Sequence, residues 1–281
     1  SPIVDAGVFL VGSNTGPSVV AGKDCHPLLF MTSFSNEAMA EGMGKFANDS
    51  GYKRAYLLAP NYQAGKERLA GFQSTYKGEV LDTVLTPLNQ PDYSAEIAQI
   101  QAAKPDMVFV FYPGGMGINF VKQYQQAGLL GKIPLLSDST VDVITLPALK
   151  NTALGVITAA TYSPDLDNAA NRLFVSAFRE KYGRDPSMYA AQSYDAAQAL
   201  VAALKATGGK ADNRDALRQA IKTAQFPSVT GKFRFNSNQM PVRDYYRVDV
   251  ARDLSGNAAF VTRGTVLENW GDAFAGQCSM K

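Results

Sequence analysis

The chain has 281 residues, 46% of them hydrophobic and 19% charged, enough for one or two globular domains with a substantial core. Its 27 basic and 25 acidic residues leave a net charge of +2. The basic residues form no run, so neither nucleic acid nor an anionic membrane is an expected partner, and no apolar segment approaches the roughly 20 residues that a spanning helix requires.

In chain order, residues 7–11 (GVFLV) read as a short strand, followed by the turn-rich SNTGPS at 13–18 and a second strand at 28–32. Residues 36–48 carry Ala38, Met39, Met43, Phe46 and Ala47 at helical spacing, with Ser35 as the expected N-cap. Strands at 54–58 and 80–85 then alternate with helices at 65–76 and 93–103. The segment 106–129 is the clearest unit. A continuous apolar strand, 107–111, ends at Tyr112 and Pro113, and Gly114, Gly115 and Gly117 turn the backbone into a helix faced by Ile118, Phe120, Val121 and Tyr124. Strands at 133–136 and 155–160 complete an alternation that specifies a parallel sheet covered by helices. Three helices follow at 168–182, 188–207 and 214–223 with no strand between them. The end of the chain alternates with period two in KFRFN, DYYRVDVARD and AAFVTRGTVL, which predicts a small antiparallel appendage. Residues 1–35 hold at most two strands, too few for the sheet that the helices at 168–226 need to cover.

The chemistry-bearing residues are sparse. The one histidine, His26, has no CxxC or HExxH partner spacing, so no metal is expected, and no GxSxG surrounds any serine. GGMG at 114–117 lacks GxGxxG spacing, and no phosphate-binding loop is present, so no cofactor and no enzymatic activity are expected. Cys25 and Cys278 are either two buried thiols or a disulfide tying the end of the chain to its beginning, which requires an oxidising compartment. Tyr62, Tyr112 and Tyr162 each fall where a strand hands over to a loop, the edge at which α/β sheets bind ligands, and together they suggest an aromatic-walled pocket. The backbone N–H groups of SNTGPS could bind a carboxylate, or the segment is simply a helix N-cap.

VFLVGSNTGPS, APNYQAGKERLAGF, PLNQPDYSAEIAQIQAAKPD and YPGGMGINFVKQYQQAGL, in this order and spacing, resemble the periplasmic solute-binding proteins of the branched-chain amino acid class of ABC transporters. The likeness covers essentially the whole chain and is nearest to the branch that binds aromatic carboxylates. It implies an α/β type I periplasmic-binding fold: two doubly wound parallel-sheet lobes, joined by three hinge crossings, that close on a ligand. The crossings are expected near 32–35, 160–163 and 227–232. Lobe 1 would comprise 1–31 and 164–226, lobe 2 would comprise 36–160 and 233–270, and 271–281 would be a C-terminal tail. Family members carry further strands and helices upstream, so lobe 1 is expected to be incomplete here.

The resemblance places Asn14 and Thr15 at the ligand carboxylate, Tyr62 on the aromatic residue of a lobe 2 loop, and Tyr112, Pro113 and Gly114 on strand-end contacts. Tyr162 joins them as a candidate wall. Amino acid binders of the family hold the ligand's ammonium with an acidic residue about where Ser139 stands, and Asp138 and Asp142 are out of register. A buried ammonium without a carboxylate is costly, so a small organic acid lacking an amino group, an aromatic carboxylate above all, is the expected ligand. The implied partner is the membrane permease of an ABC transporter, and the implied setting is the periplasm, with the intact protein a monomer. Branched-chain amino acid binding by the same mechanism, and a ligand-sensing regulator on the same fold, are the alternatives.

Overall fold

The computed structural model describes residues 2–280. In chain order its elements are α1 (Pro2–Asp5), β1 (Leu10–Gly12), α2 (Ser18–Ala21), β2 (Leu29–Met31), α3 (Ala38–Asp49), β3 (Arg54–Pro60), α4 (Gln63–Thr75), β4 (Glu79–Thr86), α5 (Ser94–Ala103), β5 (Met107–Val110) and α6 (Gly115–Gln126). They continue with β6 (Leu135–Asp138), α7 (Leu146–Leu149), a 3-10 turn at Lys150–Ala153, β7 (Ile157–Ala160), α8 (Ala169–Tyr182), α9 (Met188–Ala206), α10 (Arg214–Lys222), β8 (Phe233–Phe235), β9 (Pro241–Arg252) and β10 (Ala258–Trp270). No helix among the described residues is long and apolar enough to cross a membrane.

Two compact units result. One comprises Ser1–Asn36, Leu166–Asp244 and Glu268–Lys281, the other Glu37–Asp165 and Tyr245–Leu267. The boundaries at 36/37 and 165/166 lie close to two of the expected crossings. The segment 227–232 lies inside the first unit; the chain passes over within β9 and returns within β10. Residues 233–244 and the C-terminal tail therefore belong to the first unit and not, as expected, to lobe 2 and a separate tail. The reason is that β9 and β10 each run on through the boundary between the units, at 244/245 in β9 and at 267/268 in β10.

In the second unit the strand order is β10-β9-β7-β6-β5-β3-β4. β3 to β7 pair in parallel, while β9 runs antiparallel to β7 with Ala159 opposite Arg247, so the expected appendage is instead the continuation of the main sheet. Alternation along β5 sorts its side chains onto two faces. Val108, Val110 and, beyond the strand end, Tyr112 join a buried cluster with Phe120, Val121 and Tyr124 of α6. Phe109 points the other way and stacks on Phe72 of α4 at 4.6 Å. Each such fully buried side chain contributes roughly 1.5–3 kcal/mol. α3 begins at Ala38, after Glu37, with no side-chain cap, so Ser35 does not serve as the N-cap.

In the first unit β1 and β2 form a two-stranded parallel sheet with Val11 opposite Phe30. Phe30 packs with Ala199, Ala203, Leu217, Ile221 and Phe235, which joins α9 and α10 to that sheet. The three long helices start where their sequences cap them: Asn168, Ser187 and Asn213 accept from the N–H groups of Asn171, Ala190 and Ala216. Cys25 and Cys278 form a disulfide with Cα atoms 5.7 Å apart, closing a sequence separation of 253. A buried polar centre backs the 227–232 segment. Asp195 accepts from the Val229 N–H at 3.0 Å and from the Ser228 and Thr230 hydroxyls, and Arg243 donates to Thr32 O at 2.9 Å and Ser33 O at 2.6 Å.

Candidate ligand site

The carboxyl ends of β3, β5 and β6 bring together much of what the sequence singled out in the second unit. Tyr62 is the boundary residue before α4, with extended backbone, and its ring lies 6.3 Å from that of Phe111 at an interplanar angle of 19°. Burial raises the Tyr62 phenol above its ordinary range, against an opposing pull from Arg68. Phe111 shares the face of Phe109, as strand alternation requires.

Tyr112 differs from expectation. Its ring is fully buried, 4.9 Å from Tyr93 and 5.2 Å from Phe120, and its hydroxyl meets that of Thr86 at 3.1 Å. Parity decides this, since a residue one step beyond Phe111 faces the opposite side of the sheet, where α6 packs. Tyr112 acts through its backbone, donating its N–H to Thr140 Oγ1 at 2.8 Å.

Pro113 and Gly114 follow. Gly114 has φ 63° and ψ −132°, a conformation that glycine adopts without steric cost, and its carbonyl accepts the Ile118 N–H that opens α6. Gly117 serves a different purpose. A Cβ there would stand 2.2 Å from Tyr112 O and 2.8 Å from Thr140 O, so glycine is what lets α6 approach both loops. Around Gly114 and Gly115 a Cβ would meet nothing within 4 Å, which leaves that backbone uncovered by neighbouring side chains.

Ser139 follows β6 with φ 53°, strained for a residue other than glycine, and its hydroxyl donates to Asp138 Oδ1 at 2.8 Å. Asp138 Oδ2 forms an ion pair with Arg68 Nη1 at 2.7 Å, the side chains being 0% and 3% exposed. Burial raises the Asp138 carboxyl above its ordinary range; Arg68 and Ser139 oppose it. The Arg68 guanidinium also lies 5.0 Å from the Phe111 ring centre. The charge of Arg68 also reaches Glu37, as do those of Glu67 and Glu41. Burial pushes the Glu37 carboxyl up to about 7, Glu67 and Glu41 add to the rise, and Arg68 opposes it. Asp142 is committed to its own turn, accepting from the N–H groups of Ile144 at 2.9 Å and Thr145 at 2.8 Å. Tyr162 is buried just after β7.

In the first unit, Asn14 and Thr15 are exposed, but their backbone is pinned. Ser33 Oγ donates to Thr15 O at 2.6 Å, the Asn36 N–H donates to Gly16 O at 2.7 Å, and the Ser193 hydroxyl bonds that of Ser13 at 2.9 Å. A rigid loop with short polar side chains turned outward is suited to a polar group of a ligand.

The family model for periplasmic binding proteins matches residues 1–256. The chain belongs to the periplasmic binding protein family. Its class is that of the Leu/Ile/Val-binding solute receptors of ABC transporters, and its fold is the type I periplasmic-binding fold. A Leu/Ile/Val-binding protein homologue from Brucella melitensis is 29% identical over 266 residues, covering 91% of this chain and 67% of the relative. A solute-binding protein of an ABC transporter from R. palustris, solved in complex with benzoate, superposes with a TM-score of 0.90 at 30% identity, over 98% of this chain and 75% of that one. Another from Rhodopseudomonas palustris, in complex with 3,4-dihydroxybenzoic acid, gives a TM-score of 0.87 at 29% identity, over 96% and 74%.

Within this periplasmic binding protein, sequence reasoning missed Arg68 and Phe111. Phe111 was legible from parity with Phe109. Arg68 sits in KERLAGF among ordinary helix-surface residues, and nothing local marks it as buried.

Proposed function

We propose that the protein captures a small aromatic carboxylate lacking an amino group in the periplasm and delivers it to the membrane permease of an ABC transporter, by the lobe closure that its family resemblance implies. One observation carries the ligand class. The two acidic residues nearest the expected ammonium position are both engaged: Asp138 by Arg68 and Ser139, Asp142 by its own turn. A ligand ammonium would meet an Asp138 carboxylate already neutralised by Arg68 and an Asp142 carboxylate bound through Oδ1 to its own turn, whereas an organic acid needs only hydroxyl and N–H donors and a ring partner. Asn14, Thr15, Ser139 and the backbone at Pro113 and Gly114 are the proposed polar contacts, Tyr62 the ring contact, and Tyr162 a wall; Tyr112 supports them from the core. The benzoate and dihydroxybenzoate complexes of the two relatives agree with this reading.

Thermal unfolding with benzoate, phenylacetate, leucine and valine tests it. A bound acid at about a hundredfold excess over its Kd adds about 2.7 kcal/mol to stability, a rise of several degrees in Tm. Stabilisation by leucine or valine and not by the aromatic acids would replace the ligand assignment with branched-chain amino acid binding.

A further inference from the structure

An arginine buried at the ligand edge of a sheet is costly unless it is paired, and Arg68 is paired in a specific way. It bridges three loops of the second unit at once. It neutralises Asp138 at the end of β6, lies against Phe111 beyond β5, and through that ring backs Tyr62 at the start of α4. Asp138 in turn accepts the Ser139 hydroxyl and so holds a residue whose backbone is in the left-handed region. Remove the guanidinium and two things change together. Asp138, whose carboxyl burial already raises, loses its counter-charge and either takes up a proton or ionises against a new cation such as an ammonium group, and Phe111 loses the charged group it rests on. Glu37, whose carboxyl Arg68 also attracts, would lose that pull as well.

We propose that Arg68 is a positioning and specificity-determining residue, which sets the Ser139 hydroxyl and the Tyr62–Phe111 ring pair for an aromatic carboxylate and withholds the Asp138 carboxylate from a ligand's ammonium group. This rests on the ligand class proposed above and deepens it, because it assigns the rejection of amino acids to a residue that need not touch the ligand.

The test compares phenylacetate with L-phenylglycine, which differ by the α-ammonium group, by calorimetric titration of the wild type, Arg68→Met and Arg68→Met/Asp138→Leu. The wild type should prefer phenylacetate. Arg68→Met should shift the ratio of the two Kd values towards phenylglycine by about tenfold or more. The double variant removes both charges; it should bind phenylacetate more weakly than wild type yet keep the wild-type ratio within about threefold, since replacing a buried ion pair by apolar groups of similar volume is tolerated. If Arg68→Met does not fold, Arg68→Gln, which can bond Asp138 without supplying charge, is read in its place. An unchanged ratio in the single variant, or an equal shift in both variants, overturns the role of Arg68 and reduces it to packing. A wild type that prefers phenylglycine overturns the ligand class, while a further tenfold swing in Arg68→Met would still assign Arg68 its role. A wild type that binds neither compound overturns both.

Discussion

Glu37→Gln isolates a proton-linked term in stability. Glu37 sits at the start of the second unit with its Oε2 buried and without a hydrogen-bond partner among the described residues. Its carboxyl is raised from 4.5 to about 7 by burial, with Glu67 and Glu41 adding repulsion. Between these two values the folded protein keeps a proton that the unfolded chain has released. Stability from this group is therefore fully present below about pH 4.5 and is lost as the pH rises through about 7. The difference corresponds to about 3 kcal/mol between the two limits. Urea unfolding followed by circular dichroism at pH 5 and pH 8 should show the wild type losing more stability than Glu37→Gln over this interval, by about that amount. Asp138 and Asp195, also raised by burial, contribute in the same direction to both proteins and cancel in the comparison. Identical pH dependence in the two proteins would refute the argument, because the amide cannot titrate.

The Cys25–Cys278 disulfide closes a separation of 253 residues, for which chain entropy alone gives a contribution on the order of 5 kcal/mol. Fluorescence of Trp270, the one tryptophan, which belongs to the unit containing the disulfide, should therefore report a lower urea midpoint in Cys25→Ala/Cys278→Ala; an unchanged midpoint counts against the bridge. Gly117→Ala drives a methyl group against two backbone carbonyls and should cost roughly 1–3 kcal/mol, whereas Gly115→Ala, with open space around it, should cost far less. Equal losses in denaturant titration would contradict the packing described for α6. The ligand panel and the Arg68 series complete the set.

The repeating order of strands and helices was legible in the sequence from residue 36 to about 160, because buried parallel strands leave continuous apolar runs and amphipathic helices leave a 3.6-residue period. The starts of α8, α9 and α10 were legible too, expected at 168, 188 and 214 and found at Ala169, Met188 and Arg214, although the one cap read from sequence, Ser35, does not cap α3. The place of β9 and β10 in the fold was not legible. Their alternation marks them as strands, and only the pairing of β9 with β7 and of β10 with β9 puts them on the main sheet.

At the candidate site, the sequence by itself determined which loops stand at the carboxyl ends of the strands, and with them Tyr62 and Gly114, whereas Ser139 entered through the family resemblance. It also determined that Asn14 and Thr15 lie in a turn-rich loop. Only the tertiary structure decided that Tyr112 turns its ring into the core while Phe111 takes the face beside Tyr62, and that Arg68 is buried against Asp138. The physical reason is range. Turns, caps and periodicity depend on neighbours a few residues apart, whereas the charge state and orientation of a buried pair depend on α4 and β6 being packed together, and no local pattern in either segment records the other.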